Sequence, residues 1–443
     1  MGRPEERHAN TDASNGDATD AARTDENGRF PRHPAAAAGC RLMSRSATLD
    51  GLRGYFLVFM MVNHVVLAGG VLLAKVNHAE LGYVQDAQGF VLLSGIVAGM
   101  YYTRVWTQRS PEAARRRLFA RARELYVSTM LVIALVTAMV VLVPGAREPL
   151  GGFLGHLAWL EPGTLLASAL LLHSPTFTDL LIQYILYLAA TPLLLRLILD
   201  GHARKVALGS AALWAAVQMG LHVPVLSALD DGLGRLSDGL AVRGPFNPLA
   251  WQVLYVAGLL IGSAVQRGRF DADRWFPVER PPWLVPALVT VVVCAAWHLS
   301  FVHELVGPAV GERFLRYVDR TEFSLVYLAN FAALAYVVSW LLIAGPRSSH
   351  PVAAGTARLL TALFNLPFLR LLGRHSLQVY LFHVLVAYAI LLIDLFGGPF
   401  NQLTKAVLLL ASVASLAIPA LWRERSRAKP AERGAVRMGS SRG

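Results

Sequence analysis

One apolar segment carries Asp50-Gly-Leu-Arg53 at its start and Asn63-His64 further along. The histidine comes eleven positions after the arginine. In a helix that is close to three turns, so the two side chains share a face at ~16 Å along the axis, with Asp50 within about 40° of His64. A carboxylate, a guanidinium and an imidazole on one stripe offer a cation for an anionic substrate group and a base for a proton. Such groups inside an apolar segment are costly and read as functional by default. The structural alternative is an Asp–Arg pair at a helix boundary with a histidine that only bonds neighbouring helices.

A second apolar segment opens Ser376-Leu-Gln-Val-Tyr380-Leu-Phe-His383. Ser376, Tyr380 and His383 fall at i, i+4 and i+7, on one face, with His383 ~10–12 Å into the helix. Two histidines at comparable depth can line one cavity, or they can belong to a packing face of mutually satisfied polar groups. On the other side of the molecule, Asp179, Gln183 and Tyr187 follow one another at i+4 steps, and Phe246-Asn-Pro-Leu-Ala-Trp251-Gln252 opens another segment. Aromatic faces stack on pyranose rings and amides and carboxylates bond hydroxyls, so this set suits sugar. An interfacial aromatic belt and a boundary acid at a helix N-terminus account for the same residues. Gly95 and Gly99 form a GxxxG close-packing pair. The Arg115–Arg117 run is chiefly a topogenic signal. No His/Cys/Asp/Glu spacing suggests a metal.

These residues need a frame, and composition supplies it. The 443 residues are 55% hydrophobic and only 16% charged, against about a quarter charged in soluble domains. Mean hydropathy is +0.46. A water-soluble enzyme, a disulfide-rich secreted protein and a disordered scaffold are all disfavoured; an all-α polytopic membrane protein fits. The excess of 41 Lys+Arg over 29 Asp+Glu clusters between apolar stretches, which fits loops on anionic lipid and not nucleic acid. Ten spans are expected, near 51–73, 89–107, 125–144, 178–199, 205–222, 249–266, 282–302, 323–344, 376–396 and 402–422. Residues 162–173 are too short to span, and 356–372 reads as a surface helix. Residues 1–45 and 423–443 read as disordered tails flanking a membrane domain over 46–422. Arginine-rich connections alternate with acid-balanced ones, which places both termini in the cytosol.

The quoted pieces, in this order, make the sequence recognisable. Leu-Asp50-Gly-Leu-Arg53-Gly with Asn63-His64, Asp86-Ala-Gln-Gly through Ser94-Gly95 to Tyr102 and Arg104, Phe246 to Gln252, Asp319-Arg-Thr321 and Gly373 to His383 together resemble the OpgC family. That family comprises inner-membrane proteins that succinylate osmoregulated periplasmic glucans, within the wider membrane acyltransferase-three superfamily. The Arg-x10-His spacing is that superfamily's signature. Two departures stand out: Gln88 where Glu is expected, and Asp179-Leu-Leu-Ile-Gln-Tyr184 without a proline before the tyrosine.

The resemblance implies a bacterial inner-membrane O-acyltransferase. It would move an acyl group, succinyl or acetyl, from cytosolic acyl-CoA to a periplasmic or cell-envelope glucan, with no resident cofactor. The residues then divide by role. His64 is the general base, Asn63 an oxyanion donor and Asp50 the partner of Arg53. Arg53, Arg104, Ser376 and His383 face the donor. Asp179, Tyr184, Trp251, Gln252 and Asp86 face the acceptor. Direct transfer and an acyl-enzyme route both remain open, as do the oligomeric state, a homo-oligomer included, and the alternative of a secondary transporter or glycan flippase.

Overall fold

The computed structural model describes residues 47–426 apart from Arg316. The expected disordered stretches at 1–45 and beyond 426 lie outside the described residues. Within them the protein is all-α. The main helices are α1 (Ala47–His64), α2 (Asp86–Gln108), α3 (Pro111–Val141), α4 (Asp179–Leu197), α5 (Ala203–Gln218), α6 (Val223–Gly234), α7 (Pro248–Gln266), α8 (Leu284–Val302), α9 (Leu325–Ile343), α10 (Pro351–Phe364), α11 (Pro367–Arg374), α12 (Ser376–Gly397) and α13 (Gln402–Ser415). Seven described helical stretches are long and apolar enough to cross a membrane, or eight if the bent pair α10–α11 makes one span. This is a membrane protein.

Local sequence sets the helix starts. Ser110 caps α3 by accepting from the Ala113 amide at 3.0 Å, with Pro111 in the first turn. Gln85 and Gln88 form a capping box at α2, and the Gln88 amide oxygen accepts from the Gln85 backbone at 3.1 Å. Gln88 is fully buried. A neutral amide therefore does structural service where a carboxylate would face desolvation.

Several expected boundaries change. Residues 51–73 were expected as one span, but α1 stops at His64. The chain then turns through Gly69 and Gly70, both at positive φ (73° and 72°), into short 3-10 turns. Hydropathy does not register such a break, because Val65–Leu73 stays apolar. The arginines at 115–117 belong to α3 and not to a loop. The segment 356–372 is the bent pair α10–α11, folded by 56°, and α11 packs on α1 instead of lying alone at a surface. The last helical stretch runs to Ser426, past the expected edge at 422; there Glu424 pairs with Arg374 at 2.8 Å.

α4 and α5 form a 40-residue stretch that turns at Gly201 (φ 92°). Two contacts show the chain doubling back. Arg267, just past the end of α7, donates to the Ile198 carbonyl at 3.1 Å, and Gln252, near its start, accepts from Ser210 at 2.7 Å. Two glycine seams set the tightest crossings. Gly95 and Gly99 of α2 face Gly258 and Gly262 of α7, backbone against backbone. Gly51 and Gly54 of α1 face the Phe364 and Leu369 carbonyls of the bent pair, and Gly373 of α11 faces the Asp50 carbonyl. Small residues let backbones approach where lipid supplies no hydrophobic drive between helices.

Candidate functional site

α1 and α12 run side by side and are joined by two polar rungs. At the first, Arg53 Nη2 donates to Ser376 Oγ at 2.6 Å, with the guanidinium carbon 5.8 Å from the Phe90 ring centre. At the second, His64 Nδ1 lies 2.9 Å from His383 Nε2, the rings stacked at 5.1 Å. His383 Nδ1 in turn meets the Tyr380 carbonyl at 2.5 Å. The sequence placed each pair of residues on one helix face; the fold brings the faces together. His383 is wholly buried, whereas His64, the last residue of α1, is half-buried. Phe177 lies against the His64 ring at 4.2 Å. Its backbone is held at φ 76°, a region that bulky side chains rarely adopt and that clusters at functional sites. Tyr380 fixes it by donating to the Phe177 carbonyl at 3.0 Å.

Asn63 turns to another cluster. Its Nδ2 donates to Asp86 Oδ2 at 2.6 Å, and its Oδ1 accepts from Asn77 Nδ2 at 2.6 Å. One amide hydrogen of Asn63 is left for a further acceptor. Asp86 is 3% exposed and its Oδ1 lies 3.3 Å from His78 Nε2. Burial pushes the His78 imidazole down to about 4. Asp86, read from the sequence as an acceptor residue, thus sits with Asn63 of α1.

A family model described as OpgC protein matches residues 45–428. The chain belongs to the OpgC family. No curated protein and no solved structure matches it. In this OpgC chain, the residues quoted for the resemblance fall on α1, α2, α7, α11 and α12 and on the 319–321 connection, so the family pattern covers the two rungs and the helices packed around them.

The remaining sequence candidates are dispersed. Arg104 is exposed on α2 and bonds Gln108 at 3.0 Å, apart from the Arg53 rung. Asp50 packs its backbone against Gly373. The Trp251 ring is fully buried and offers no open face for a sugar; its indole N–H donates to the Arg320 and Thr321 carbonyls. Gln252 is spent on Ser210. Tyr184 packs edge-on to Tyr255, 6.2 Å away. Asp179 does line a cavity, of about 450 Å³, with Gln183, His222, Arg243, Asn247 and Glu322 among its polar residues and Leu213, Val225 and Leu229 in its apolar wall. Asn247 donates to Glu322 at 2.8 Å and Ser174 to Asp179 at 3.0 Å. Phe177, which lies on the His64 ring, comes two residues before Asp179 in the chain.

Sequence reasoning missed the clamp behind His64. Lys405 of α13, 4% exposed, donates to the Ala68 and Gly70 carbonyls at 2.6 and 3.0 Å. Asp394 of α12 accepts from the Ala68 amide at 2.8 Å, and Gln402 accepts from the Leu72 amide at 3.1 Å. A lone lysine in an apolar helix was the available signal.

Proposed function

We propose that this OpgC-family protein is an O-acyltransferase of the bacterial inner membrane, moving an acyl group, succinyl in our reading, from cytosolic acyl-CoA to a hydroxyl of a periplasmic or cell-envelope glucan. The observation that carries the reading is the pair of rungs. An accessible imidazole meets a buried one at the end of α1, and a guanidinium stands three turns back on the same helix. The order suits a thioester donor. The cation takes phosphate charge at the α1 entry, on the side we assign to the cytosol, and the pantetheine arm runs the ~16 Å of helix to the histidine.

His64 accepts the proton of the glucan hydroxyl as its oxygen attacks the thioester carbonyl. The C–S bond breaks, the ester forms, and the proton passes to the departing thiolate, so free CoA leaves. The remaining amide hydrogen of Asn63, one residue away, supports the oxyanion. The acceptor enters through the cavity at Asp179. Its carboxylates and amides match hydroxyls, and its volume falls within the ~300–1,000 Å³ of small-molecule sites. Membrane lipid surrounds the helices.

The test is mass spectrometry of cell-envelope glucans from cells with the gene, without it, and with the His64→Gln form at matched membrane levels. The first should carry a mass increment of one acyl group per site that the other two lack. Identical spectra in all three would end the proposal.

A further inference from the structure

The histidine pair has a direction, and that direction assigns a role to His383. The Tyr380 carbonyl can only accept, so the His383 nitrogen 2.5 Å from it, Nδ1, carries the proton. A neutral His383 then has its lone pair on Nε2. That atom lies 2.9 Å from His64 Nδ1, which must donate. His64 Nδ1 therefore holds the proton and His64 Nε2 keeps the lone pair. Among the described residues His64 Nε2 has no hydrogen-bond partner, and the residue is half-buried while His383 is fully enclosed.

We infer that His383 is a positioning residue that fixes His64 in the Nδ1–H tautomer and so aims the only free lone pair of the pair out of the α1–α12 seam. This deepens the proposed acyl transfer, on which its catalytic consequence rests; the tautomer itself does not depend on that reading. The other side of the seam agrees. Phe177 lies over the His64 ring at 4.2 Å, and Tyr380, whose own carbonyl orients His383, anchors Phe177 through its hydroxyl. One turn of α12 thus sets both the tautomer and the ring plane. During transfer, the hydroxyl proton moves to His64 Nε2, giving an imidazolium whose Nδ1–H still points at His383 Nε2. The same proton then leaves with the thiolate sulfur, and the Nδ1–H tautomer returns. His383 neither gains nor loses a proton over the cycle.

The experiment has a spectroscopic arm and a kinetic arm. In the first, nitrogen-15 spectra of histidine-labelled protein in nanodiscs are recorded, with the His64 signals identified by their loss in His64→Gln. The expected pattern is a protonated Nδ1 and an unprotonated Nε2 on His64, opposite to the tautomer that free histidine favours in water. A His64 with its proton on Nε2 overturns the inference whatever the activity. In the second, His383→Gln is compared with His383→Leu at equal folded protein. A glutamine carbonyl reaches from the same backbone position and still accepts from Nδ1, so turnover should stay within about tenfold. Leucine accepts nothing, so kcat should fall by about 10²–10⁴, the worth of a correctly poised base, with KM for both substrates unchanged. Equal losses in both variants, or losses carried by KM, overturn it. Turnover surviving in His64→Gln beside the expected spectrum would instead strike the base assignment in the proposed function and leave the tautomer standing.

Discussion

Adding one methyl group at Gly258 should separate two helices that cross with their backbones in contact. A Cβ built there falls 2.3 Å from the Leu92 carbonyl oxygen and 2.8 Å from the Ile96 amide nitrogen, both backbone atoms of α2. Contacts below 3.0 Å are essentially never seen, and 3.4 Å is where ordinary contact begins. Gly258→Ala therefore requires α2 and α7 to part by about 1 Å, with no flexible side chain to yield. Overpacking of this kind costs about 1–3 kcal/mol, and here the loss spreads along a seam that also holds Gly95, Gly99 and Gly262. The matched control is Gly209→Ala. Gly209 lies in α5, where a Cβ meets nothing within 4 Å, so the change should be neutral or stabilise by up to about 1 kcal/mol through helix propensity alone. Both variants would be unfolded from identical nanodiscs or detergent by heat and by denaturant. The expected result is a lower midpoint for Gly258→Ala and an unchanged or higher one for Gly209→Ala. Equal midpoints would refute the reasoning that backbone contact, and not general apolar packing, holds α2 against α7.

Three further outcomes are expected. Lys405→Met should strip the Ala68 and Gly70 carbonyls of a charged donor and lower stability by about 1.5–3 kcal/mol; faster hydrogen exchange confined to residues 66–72 would locate the loss, and unaltered exchange there would exclude the clamp. Arg53→Ala should raise KM for the acyl-CoA donor at least tenfold and leave acceptor KM unchanged in assays of purified enzyme; an unmoved donor KM would make Arg53 a structural tie to Ser376 and no more. A cysteine introduced at Arg117, with Cys40 and Cys294 replaced, should resist an impermeant thiol reagent in intact cells, while cysteines within Glu148–Glu161 and Asp230–Asp238 should react; labelling at Arg117 from outside would reverse the sidedness and the donor side with it.

What the sequence disclosed about the site is what depends on one helix at a time. The eleven-residue spacing of Arg53 and His64, and the seven-residue spacing of Ser376 and His383, each fixed a face through helical periodicity alone. The meeting of those faces, His64 on His383 and Arg53 on Ser376, spans more than 300 residues, and no local pattern encodes it. The GxxxG at Gly95 and Gly99 was legible; its partners Gly258 and Gly262 were not, because an isolated glycine pair in an apolar run gives no address for its counterpart. Trp251 shows the same limit in another way. Its type suits both a sugar platform and a packing anchor, and its burial and its bonds to the Arg320 and Thr321 carbonyls come from distant parts of the chain that no local pattern encodes.

The end of α1 shows why the fold, and not the helix, makes the site. Residues 65–73 are apolar enough to continue a span, and helix geometry alone would carry His64 into its middle. The chain instead opens at Gly69 and Gly70, which exposes backbone groups that an apolar setting cannot leave unpaired. α12 and α13 supply the partners: Asp394 for an amide, Lys405 for two carbonyls, Gln402 for an amide and a carbonyl. Ending the helix there leaves His64 hydrogen-bonded to His383, packed on Phe177 and still half-buried. A histidine buried in mid-helix would have both nitrogens enclosed by neighbours. One at a clamped helix end can keep a nitrogen free while its ring is held, which is the geometry that proton transfer from a bound hydroxyl demands. Lys405 thereby holds the His64 end of α1 without approaching it, across the three residues between His64 and Ala68.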